Sequence, residues 1–227
     1  SFERHGINTP RTSLVNNEKS VIDAHKRIGG KFPVIIKTLT GTQGIGVSKV
    51  ENMESMMSVI QSLWKFKAHL LIQEYLDIKF DVRTVVLNGR IIASTKRIKP
   101  KKDFRSNRHL GAETEPYILS DKEKSTIIGA ARTTGAYMIG VDHALFDDNI
   151  YVLECNGSPG LGSEFQNYDI TKIPQKPTKN KNIIQFVIEY IQNPLHRVHS
   201  FNQEAGYHET VNIEGYGYIR AKFDTGN

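Results

Sequence analysis

Two short turns between β-rich segments constrain the fold of this chain more than any other feature of its sequence. Asn88-Gly89 separates segments 81–87 and 90–98, and Asn-Gly is the strongest two-residue signal for a hairpin. Asp147-Asp148-Asn149 separates a second such pair, 137–145 and 150–155. Strands joined by so short a turn are antiparallel. The pattern predicts an α+β protein with much antiparallel sheet, and not a doubly wound parallel sheet.

Spacing and capping signals predict the other helices and strands. Apolar residues at helical spacing behind Asn52 predict a helix over 52–64. Ser120-Asp121-Lys122-Glu123 matches the capping-box pattern and predicts a helix over 120–137. Further helices are expected over 18–28 and 183–191, and further strands over 32–38, 47–50 and 70–76.

Composition and the single cysteine narrow the class of protein. Of the 227 residues, 38 % are hydrophobic and 18 are glycine, an ordinary globular composition that excludes fibrous and wholly disordered chains. Apolar runs such as 34–36 and 85–87 are far shorter than the ~20 residues that span a bilayer, and residues 1–5 lack the apolar core of a signal peptide. Cys155 has no second cysteine to pair with, which favours a reducing compartment. We expect a cytoplasmic protein.

The excess positive charge is concentrated in one segment. Residues 96–109 contain seven lysines and arginines and one acid, for a net charge of +6, which equals the net charge of the whole chain. Such a local field favours an anionic partner, such as a nucleic acid, a phosphorylated small molecule or an acidic peptide. A solvated lysine-rich loop without a function is the alternative.

A glycine-rich loop follows the first long apolar strand. Gly41-Thr42-Gln43-Gly44-Ile45-Gly46 lies between two strand-like segments, where its backbone N–H groups can approach an anion without obstruction from side chains. Lys37 interrupts the apolar run before it, and burial of that ammonium is costly unless it meets a charge. The loop is interpreted as a flap over phosphates, although a merely flexible hairpin fits the loop equally well.

Three oxygen-bearing side chains are expected at the second hairpin. Alternation places Glu154 and Asn156 on one face of their strand, and Asp142 lies on the preceding strand. Two carboxylates and an amide oxygen suit Mg²⁺. Asn156-Gly157-Ser158-Pro159-Gly160 follows directly and favours a rigid loop. Two surface acids and a strand-ending asparagine are the alternative interpretation.

Together these motifs resemble those of a known family. In chain order they are Lys37 with Gly41-Thr42-Gln43-Gly44-Ile45-Gly46-Val47, Gln73-Glu74-Tyr75, Asp81-Val82-Arg83, Asp103-Phe104-Arg105-Ser106-Asn107, Gly140-Val141-Asp142, and Glu154-Cys155-Asn156-Gly157-Ser158-Pro159-Gly160-Leu161. Over residues 1–191 they are similar to the ATP-grasp ligases of the RimK type. The resemblance implies an ATP-grasp fold, with two α+β lobes and ATP between them. It also implies an ADP-forming carboxylate-amine ligase that works through an acyl phosphate.

The resemblance assigns roles to individual residues. It implies that Lys37, Gly41, Thr42, Gln43, Gly44, Ile45 and Gly46 hold the phosphates of ATP, that Glu74 and Tyr75 meet adenine, and that Asp81 meets the ribose. Arg105, Ser106 and Asn107 would complete the nucleotide site, and Asp142, Glu154 and Asn156 would bind Mg²⁺ or Mn²⁺. Arg83 and Arg97 would neutralise the acyl-phosphate oxygens.

The same resemblance implies the partners. RimK-type enzymes add glutamate to the C-terminus of a ribosomal protein, so the expected partners are ATP, glutamate or a similar amino acid, and an acidic protein or peptide acceptor. A homo-oligomer is common among such enzymes, and no membrane partner is expected. One departure bears on the acceptor pocket, because Ala112 stands where the family usually has a second glycine after Gly111.

Three regions are expected along the chain. Residues 1–193 form the ATP-grasp domain, without the N-terminal domain that precedes it in the family, and 194–205 form a linker. Residues 206–227 alternate like a strand that leads to Asp224-Thr225-Gly226 and are similar to the start of a retropepsin-like protease domain. An aspartic protease needs two such aspartates, so this segment is expected to be inactive. A chance tripeptide is the alternative.

A function from another class uses the same basic segment. An RNA- or ribosome-binding module would bind through residues 96–109, but only Phe104 lies among the charges for base stacking. Nucleic acid is therefore the less favoured partner, and a Mg²⁺-dependent reaction of ATP distinguishes the two functions.

Overall fold

The computed structural model describes residues 2–39, 46–100, 113–161, 165 and 183–193, and the backbone alone of 208–213 and 217–222. After a short 3-10 helix at Glu3–His5, the elements in chain order are β1 Thr12–Val15, α1 Glu18–Arg27, β2 Val34–Thr38, β3 Val47–Val50, α2 Met53–Trp64, β4 Leu70–Glu74, β5 Phe80–Leu87, β6 Arg90–Ile98, β7 Glu113–Pro116, α3 Asp121–Thr134, β8 Met138–Phe146, β9 Asn149–Asn156, α4 Ile183–Gln192, β10 His208–Ile213 and β11 Gly217–Lys222. The predicted elements are confirmed to within a few residues, except that the single strand-like run expected within 206–227 forms two antiparallel strands, β10 and β11. Strands β1 and β7 were not predicted.

Both predicted hairpins form through turns with left-handed backbone. Asn88 and Gly89 have φ values of 49° and 71°, and Asp147 and Asp148 have φ values of 50° and 58°. Two successive positive φ angles match the right-handed twist of the flanking strands. Strand β5 therefore pairs with β6, and β8 with β9, in antiparallel register.

Side chains cap α1, α2 and α3, and the caps of α2 and α3 were predicted from the sequence. The side chains of Asn17, Asn52 and Ser120 each accept a hydrogen bond from the backbone N–H three residues later. These bonds satisfy N–H groups that have no partner within the helix. Each helix therefore begins where its cap stands in the sequence.

The first lobe is a four-stranded antiparallel sheet covered on one face by α1 and α2. Its strand order is β1-β4-β2-β3. Ile36 of β2, Met56 and Ile60 of α2, and Ile72 of β4 are fully buried in the core of this lobe. Because alternate residues of a strand face opposite ways, Lys37 lies on the face away from the helices.

The second lobe is a five-stranded antiparallel sheet with the strand order β7-β6-β5-β8-β9. Helix α3 covers one face, where Val82 of β5 and Val141 of β8 pack with Ile127. On the other face α4 packs through Phe186 and Val187. The described helices include none that is long and apolar enough to span a membrane.

The sheet face that α4 packs against is apolar at one end of the central strand β5 and charged at the other. Val85 and Leu87 lie in an apolar cluster with α4. Arg83 and Asp81 come two and four residues before Val85, so they share its face. Helix α4 thus covers the apolar end of this face, and the other end carries charged side chains.

A buried polar network fixes α3 to the back of the same sheet. The carboxylate of Glu123 accepts hydrogen bonds from the backbone N–H and hydroxyl of Ser120, at 2.7 and 2.6 Å, and from the Tyr117 hydroxyl at 3.1 Å. His143 Nε2 lies 3.2 Å from the same carboxylate. Burial alone would raise the pKa of Glu123, but these hydrogen bonds lower it to about 2. The network therefore holds α3 directly behind the strand that carries Asp142.

Candidate functional site

Charged side chains form a row across the open half of the five-stranded sheet. In the register of the strands, Asp81 is opposite Arg97, Arg83 is opposite Asp142, and Asp142 is opposite Glu154. Four neighbouring strands thus each contribute to one face. Five residues that the sequence predicted for different parts of the site are brought together here.

Asp142 is the centre of this row. One of its oxygens accepts a hydrogen bond from Arg83 Nε at 2.7 Å, and the other accepts from Arg83 Nη2 at 2.6 Å and from Arg97 Nη2 at 2.8 Å. The side chains of Asp142 and Arg97 are only 2 % and 4 % exposed. The hydrogen bonds from two guanidinium groups offset the cost of burying this carboxylate, since charge-assisted hydrogen bonds are the strong ones.

These ion pairs shift the pKa values of both Asp142 and Arg97. Burial alone would raise the pKa of Asp142, but the charges and hydrogen bonds of Arg97 and Arg83 hold it far below its ordinary range. Burial would likewise lower the pKa of Arg97, and Asp142 and Asp81 raise it instead. Asp142 and Arg97 are therefore ionised together at neutral pH.

One extra residue in each hairpin creates this row. The pairs His143↔Val152 and Asp142↔Glu154 leave Leu153 without a partner, and Val86↔Ile91 and Val85↔Ala93 leave out Ile92. Such β-bulges shift the register by one residue. Without them, two-residue turns would place Leu153 opposite Asp142 and Lys96 opposite Asp81.

Glu154 is the accessible end of the row. Its side chain is 57 % exposed, and its Oε1 lies 3.7 Å from Arg83 Nη2. The pKa of Glu154 is raised, first by lost hydration and then by the negative charge of Asp142, while Lys37 and Arg83 act in the opposite direction. Because more than half of the side chain contacts solvent, we give Asp142 more weight than lost hydration. A cation at this point would relieve the repulsion between the two carboxylates.

Asn156 ends β9 on the same face, opposite Gly140. Its Oδ1 accepts a hydrogen bond from the Ser158 N–H at 3.0 Å, which shapes the loop that follows. A Cβ on Gly140 would lie 2.8 Å from Cβ of Pro159, so a side chain there would displace the loop. The amide oxygen keeps a second lone pair for a ligand.

Lys37 connects the two lobes electrostatically. It stands on β2, at the end that leads into the glycine-rich loop. Burial lowers its pKa, and the charge of Glu154 on the other lobe acts against this shift. Lys37 is therefore close enough to Glu154 for the two charges to interact across the lobes.

Glu74, predicted to meet adenine, uses its carboxylate within the protein. Glu74 accepts hydrogen bonds from the Arg11 backbone N–H and from Arg11 Nε, both at 2.7 Å. Its own N–H donates to the Arg11 carbonyl at 2.9 Å. Arg11 thus fastens the end of β4, and the contact of Glu74 with adenine stays a prediction.

Tyr75 is flanked by Lys49, which the sequence analysis did not single out, and by Lys99 of the basic segment 96–109. Lys49 Nζ lies 4.5 Å and Lys99 Nζ 5.6 Å from the centre of its ring. Burial, followed by a hydrogen bond to Asp77, raises the pKa of Tyr75 to about 12. Burial also lowers the pKa of Lys99, and the charge of Lys49 adds to that effect. Such cations beside an aromatic ring suit an anionic ligand. The sequence analysis included Lys49 only as part of the predicted strand 47–50.

Several predicted residues lie outside the described part of the chain. These are Gly41, Thr42, Gln43, Gly44 and Ile45 of the loop, Arg105, Ser106 and Asn107, and Asp224-Thr225-Gly226. Gly46 is described, and its φ of +81° and close approach to Thr38 Oγ1 exclude a larger side chain there.

Two observations restrict the chemistry of the site. Cys155 is free, and burial raises the pKa of its thiol to about 12, which makes a thiolate nucleophile unfavourable at neutral pH. Among the residues that the structure describes, no three His, Cys, Asp or Glu side chains are grouped to hold a metal ion. A cation here would need the amide of Asn156 besides the two carboxylates.

Part of the basic segment is neutralised within the protein. Lys96 Nζ donates to Glu115 at 2.7 Å, across the β6–β7 pair. Arg97 is paired with Asp81 and Asp142. These two cations therefore do not contribute to an open binding surface for RNA.

Comparison with known proteins identifies similar sequences. The RimK-like ATP-grasp domain family matches residues 2–176. A probable alpha-L-glutamate ligase of Methanococcoides burtonii is 36 % identical over 84 % of this chain and 60 % of its own length. A probable alpha-L-glutamate ligase 2 of Pseudoalteromonas atlantica is 39 % identical over 70 % of this chain and 54 % of its own length. The chain thus spans a little over half the length of these relatives.

Solved structures share the fold. The ATP-grasp ligase PsnB, solved with a phosphomimetic variant of its minimal precursor, Mg and ADP, is 27 % identical, with a TM-score of 0.56 over 72 % of this chain and 49 % of its own. A D-alanine–D-alanine ligase of Bacillus anthracis is 17 % identical, with a TM-score of 0.55 over 70 % of this chain and 54 % of its own. The two lobes therefore form an ATP-grasp fold.

Proposed function

Since this chain belongs to the RimK-like ATP-grasp family, we propose that it is an ATP-dependent ligase that joins a carboxylate to an amine, with ADP and phosphate as products. The observation that carries the proposal is the charged row from Arg97 to Glu154, whose Glu154 interacts electrostatically with Lys37 on the other lobe. In such a reaction a substrate carboxylate oxygen attacks the γ-phosphorus and ADP leaves. The amine nitrogen then attacks the acyl carbon, phosphate leaves, and the amine releases a proton.

We place the triphosphate of ATP between Lys37 and the accessible end of the row. Lys37 is half-buried and lacks a close ion pair among the described contacts, so an anionic oxygen would replace the water that it loses. The glycine-rich loop follows it and would add backbone N–H groups. Tyr75, with Lys49 and Lys99 beside its ring, would border the nucleotide.

The donor set at the end of β9 fits a hard cation such as Mg²⁺. Glu154 offers an exposed carboxylate, Asn156 an amide oxygen with a free lone pair, and Asp142 a carboxylate already held by arginines. Bound Mg²⁺ would neutralise charge on the phosphate oxygens. We propose Glu154 and Asn156 as the main ligands, because three hydrogen bonds already occupy Asp142.

Arg83 and Arg97 are proposed to stabilise the developing acyl phosphate. Their guanidinium groups are fixed by Asp142, and fixed charges in a site of low solvent content stabilise a transition state without reorganisation. Little proton transfer by the protein is required. Positioning and charge placement therefore account for the proposed catalysis.

Glutamate is the proposed amine substrate, and the carboxyl end of a peptide or protein the proposed acceptor. The names of the relatives support glutamate, and the minimal precursor with which PsnB was solved supports a peptide acceptor. The basic segment 96–109 would attract both acidic partners.

The test is incubation with ATP, Mg²⁺, labelled glutamate and peptides that end in glutamate. We expect label in the peptide, one ADP and one phosphate for each amide bond, and loss of turnover in Glu154→Gln. Glu115→Gln, which removes an exposed carboxylate paired with Lys96, is the matched control and should keep turnover. Formation of AMP and pyrophosphate would contradict the acyl-phosphate route, and full activity of Glu154→Gln would contradict the metal ligand.

A further inference from the structure

Two stretches of backbone connect the lobes, and Arg11 joins them to each other. Ile7 packs in the core of the second lobe, and residues 8–11 then lead into β1 of the first. Residues 75–79 lead from β4 back to β5 of the second lobe. Arg11 ends the first connection, and it is hydrogen-bonded to Glu74, which stands directly before the second. One residue pair therefore fastens both connections.

This contact uses the backbone and the side chain of both residues. Glu74 Oε1 accepts from the Arg11 backbone N–H and Oε2 accepts from Arg11 Nε, both at 2.7 Å, and Nη2 adds a second bond to Oε2. The Glu74 N–H donates to the Arg11 carbonyl at 2.9 Å. The guanidinium group lies over Gly29, where Arg11 Nη1 comes within 2.7 Å of the position that a Cβ would take. Arg11 thus holds the carboxylate of Glu74 in one orientation.

The carboxylate of Glu74 keeps room for one more donor. A carboxylate offers about four acceptor positions, and the bonds from Arg11 fill three of them. Within the described part of the chain, no other residue donates to Oε1. The side chain is 17 % exposed, so a ligand can reach it. The remaining position on Oε1 suits an N–H donor such as the 6-amino group of adenine.

We propose that Arg11 is a positioning residue that fixes Glu74 Oε1 to accept the 6-amino group of adenine, and that it thereby determines which nucleobase the site prefers. Without Arg11, the Glu74 side chain at the end of β4 would sample several rotamers. Ordering it on binding would cost entropy, which weakens the preference for the base that it contacts. The proposal rests on the proposed ATP site and adds a role for Arg11, a residue outside the predicted site.

Base discrimination measures this role. ATP carries an amino group at position 6 of its purine, and ITP carries an oxygen there. Calorimetry should give the wild-type protein a preference for ATP over ITP of about 10- to 100-fold, as one charge-assisted hydrogen bond provides. In Arg11→Met this ratio should fall by at least about fivefold, while the affinity for inorganic tripolyphosphate, which has no base, stays within about twofold. An unchanged ratio in Arg11→Met would overturn the proposal.

A double-variant cycle tests whether Arg11 acts through Glu74. Glu74→Met removes the acceptor and should lower the ratio of the ATP and ITP affinities at least as much as Arg11→Met does. The protein with both substitutions should show little further loss, because the two residues contribute to one contact. Losses that multiply would show that Arg11 contributes independently of Glu74, and this result would contradict the positioning role.

Controls keep the outcomes distinct. Arg132→Met removes an exposed arginine of α3, which covers the face of the second lobe opposite the charged row, and should leave the ratio unchanged. Equal losses of affinity for ATP, ITP and tripolyphosphate in Arg11→Met would show general support of the site and would refute a role in reading the base.

A second variant covers the case in which Arg11→Met does not fold. Arg11→Lys keeps the charge but lacks the planar fork of donors that holds Oε2, so the ratio should still fall, and an unchanged ratio would equally overturn the proposal. Equal wild-type affinities for ATP and ITP would overturn it as well. If the wild-type protein prefers ATP but forms no amide, the proposed ligase function fails, while the ratios still decide the role of Arg11.

Discussion

Asp142→Asn tests whether the charged row is also a structural element of the second lobe. The substitution keeps the shape of the side chain and removes one negative charge from a group that is 2 % exposed. Arg83 and Arg97 then lose their common partner. Arg97 keeps Asp81 at 2.6 Å, but the nearest remaining carboxylate for Arg83 among the described ion pairs is Glu154, at 3.7 Å.

The size of the effect follows from this geometry. Each charge-assisted hydrogen bond to Asp142 contributes roughly 1.5–3 kcal/mol, but part of this is offset by the desolvation of both partners. Removing one partner of a buried ion pair typically costs about 3–5 kcal/mol. Because Arg97 retains a second carboxylate, we expect the lower half of that range, about 3–4 kcal/mol in the free energy of unfolding.

Urea unfolding at pH 7, followed by circular dichroism, measures this loss. Glu154→Gln is the matched control, because its carboxylate is 57 % exposed and lies 3.7 Å from Arg83, and exposed pairs contribute about 0–1 kcal/mol. The double variant Arg83→Met/Asp142→Asn should be more stable than the sum of the single effects predicts, since it also removes the guanidinium group that loses its two hydrogen bonds to Asp142. A change of less than about 1 kcal/mol in Asp142→Asn would refute the reasoning.

The hairpins show what could be predicted from the sequence. Asn88-Gly89 and the aspartates at 147 and 148 specify turns by local backbone preference, which needs no knowledge of the rest of the fold. The helix starts at Asn52 and Ser120 were predictable for the same reason. Local chemistry determined these elements, so the predictions were confirmed.

The two strands that were missed are edge strands of four residues. Strand β1 borders the first sheet and β7 the second. β7 reads Glu-Thr-Glu-Pro, with neither apolar alternation nor β-rich composition. It forms because its backbone pairs with β6 and Glu115 meets Lys96, and an edge position tolerates Pro116. Such strands depend on tertiary contacts that a local pattern does not contain.

The site residues were predictable as a set, but their pairing was not. Counting back from a two-residue turn places Lys96 opposite Asp81 and Leu153 opposite Asp142, whereas the structure places Arg97 and Glu154 there. The bulges responsible occur within β-branched and apolar runs that carry no turn signal. The ion pairs therefore depend on register, which is determined by packing on both faces of the sheet.

Three further predictions concern the nucleotide site, the C-terminal segment and the network behind the sheet. Lys37→Ala should weaken ATP binding in calorimetry by roughly 1.5–3 kcal/mol, or about 10- to 150-fold. Substitution of the exposed Lys26 by alanine is the control and should leave the affinity for ATP unchanged. Equal affinities of the wild type and Lys37→Ala for ATP would contradict the phosphate contact. Deleting residues 194–227 should leave ATP affinity unchanged, because the family match ends at residue 176; loss of binding or of the cooperative thermal transition would instead show that this segment supports the ligase fold. Glu123→Gln should lower the free energy of unfolding at pH 7 by roughly 1–3 kcal/mol, because the carboxylate accepts several hydrogen bonds, including one that involves His143. Since folding lowers the pKa of Glu123 from 4.5 to about 2, its stabilising contribution is complete above about pH 4.5 and is lost as the pH falls toward 2. The difference in stability between wild type and variant, measured by urea unfolding from pH 7 to pH 2.5, should therefore shrink below pH 4.5, and a constant difference would show that the charge of Glu123 does not stabilise the fold.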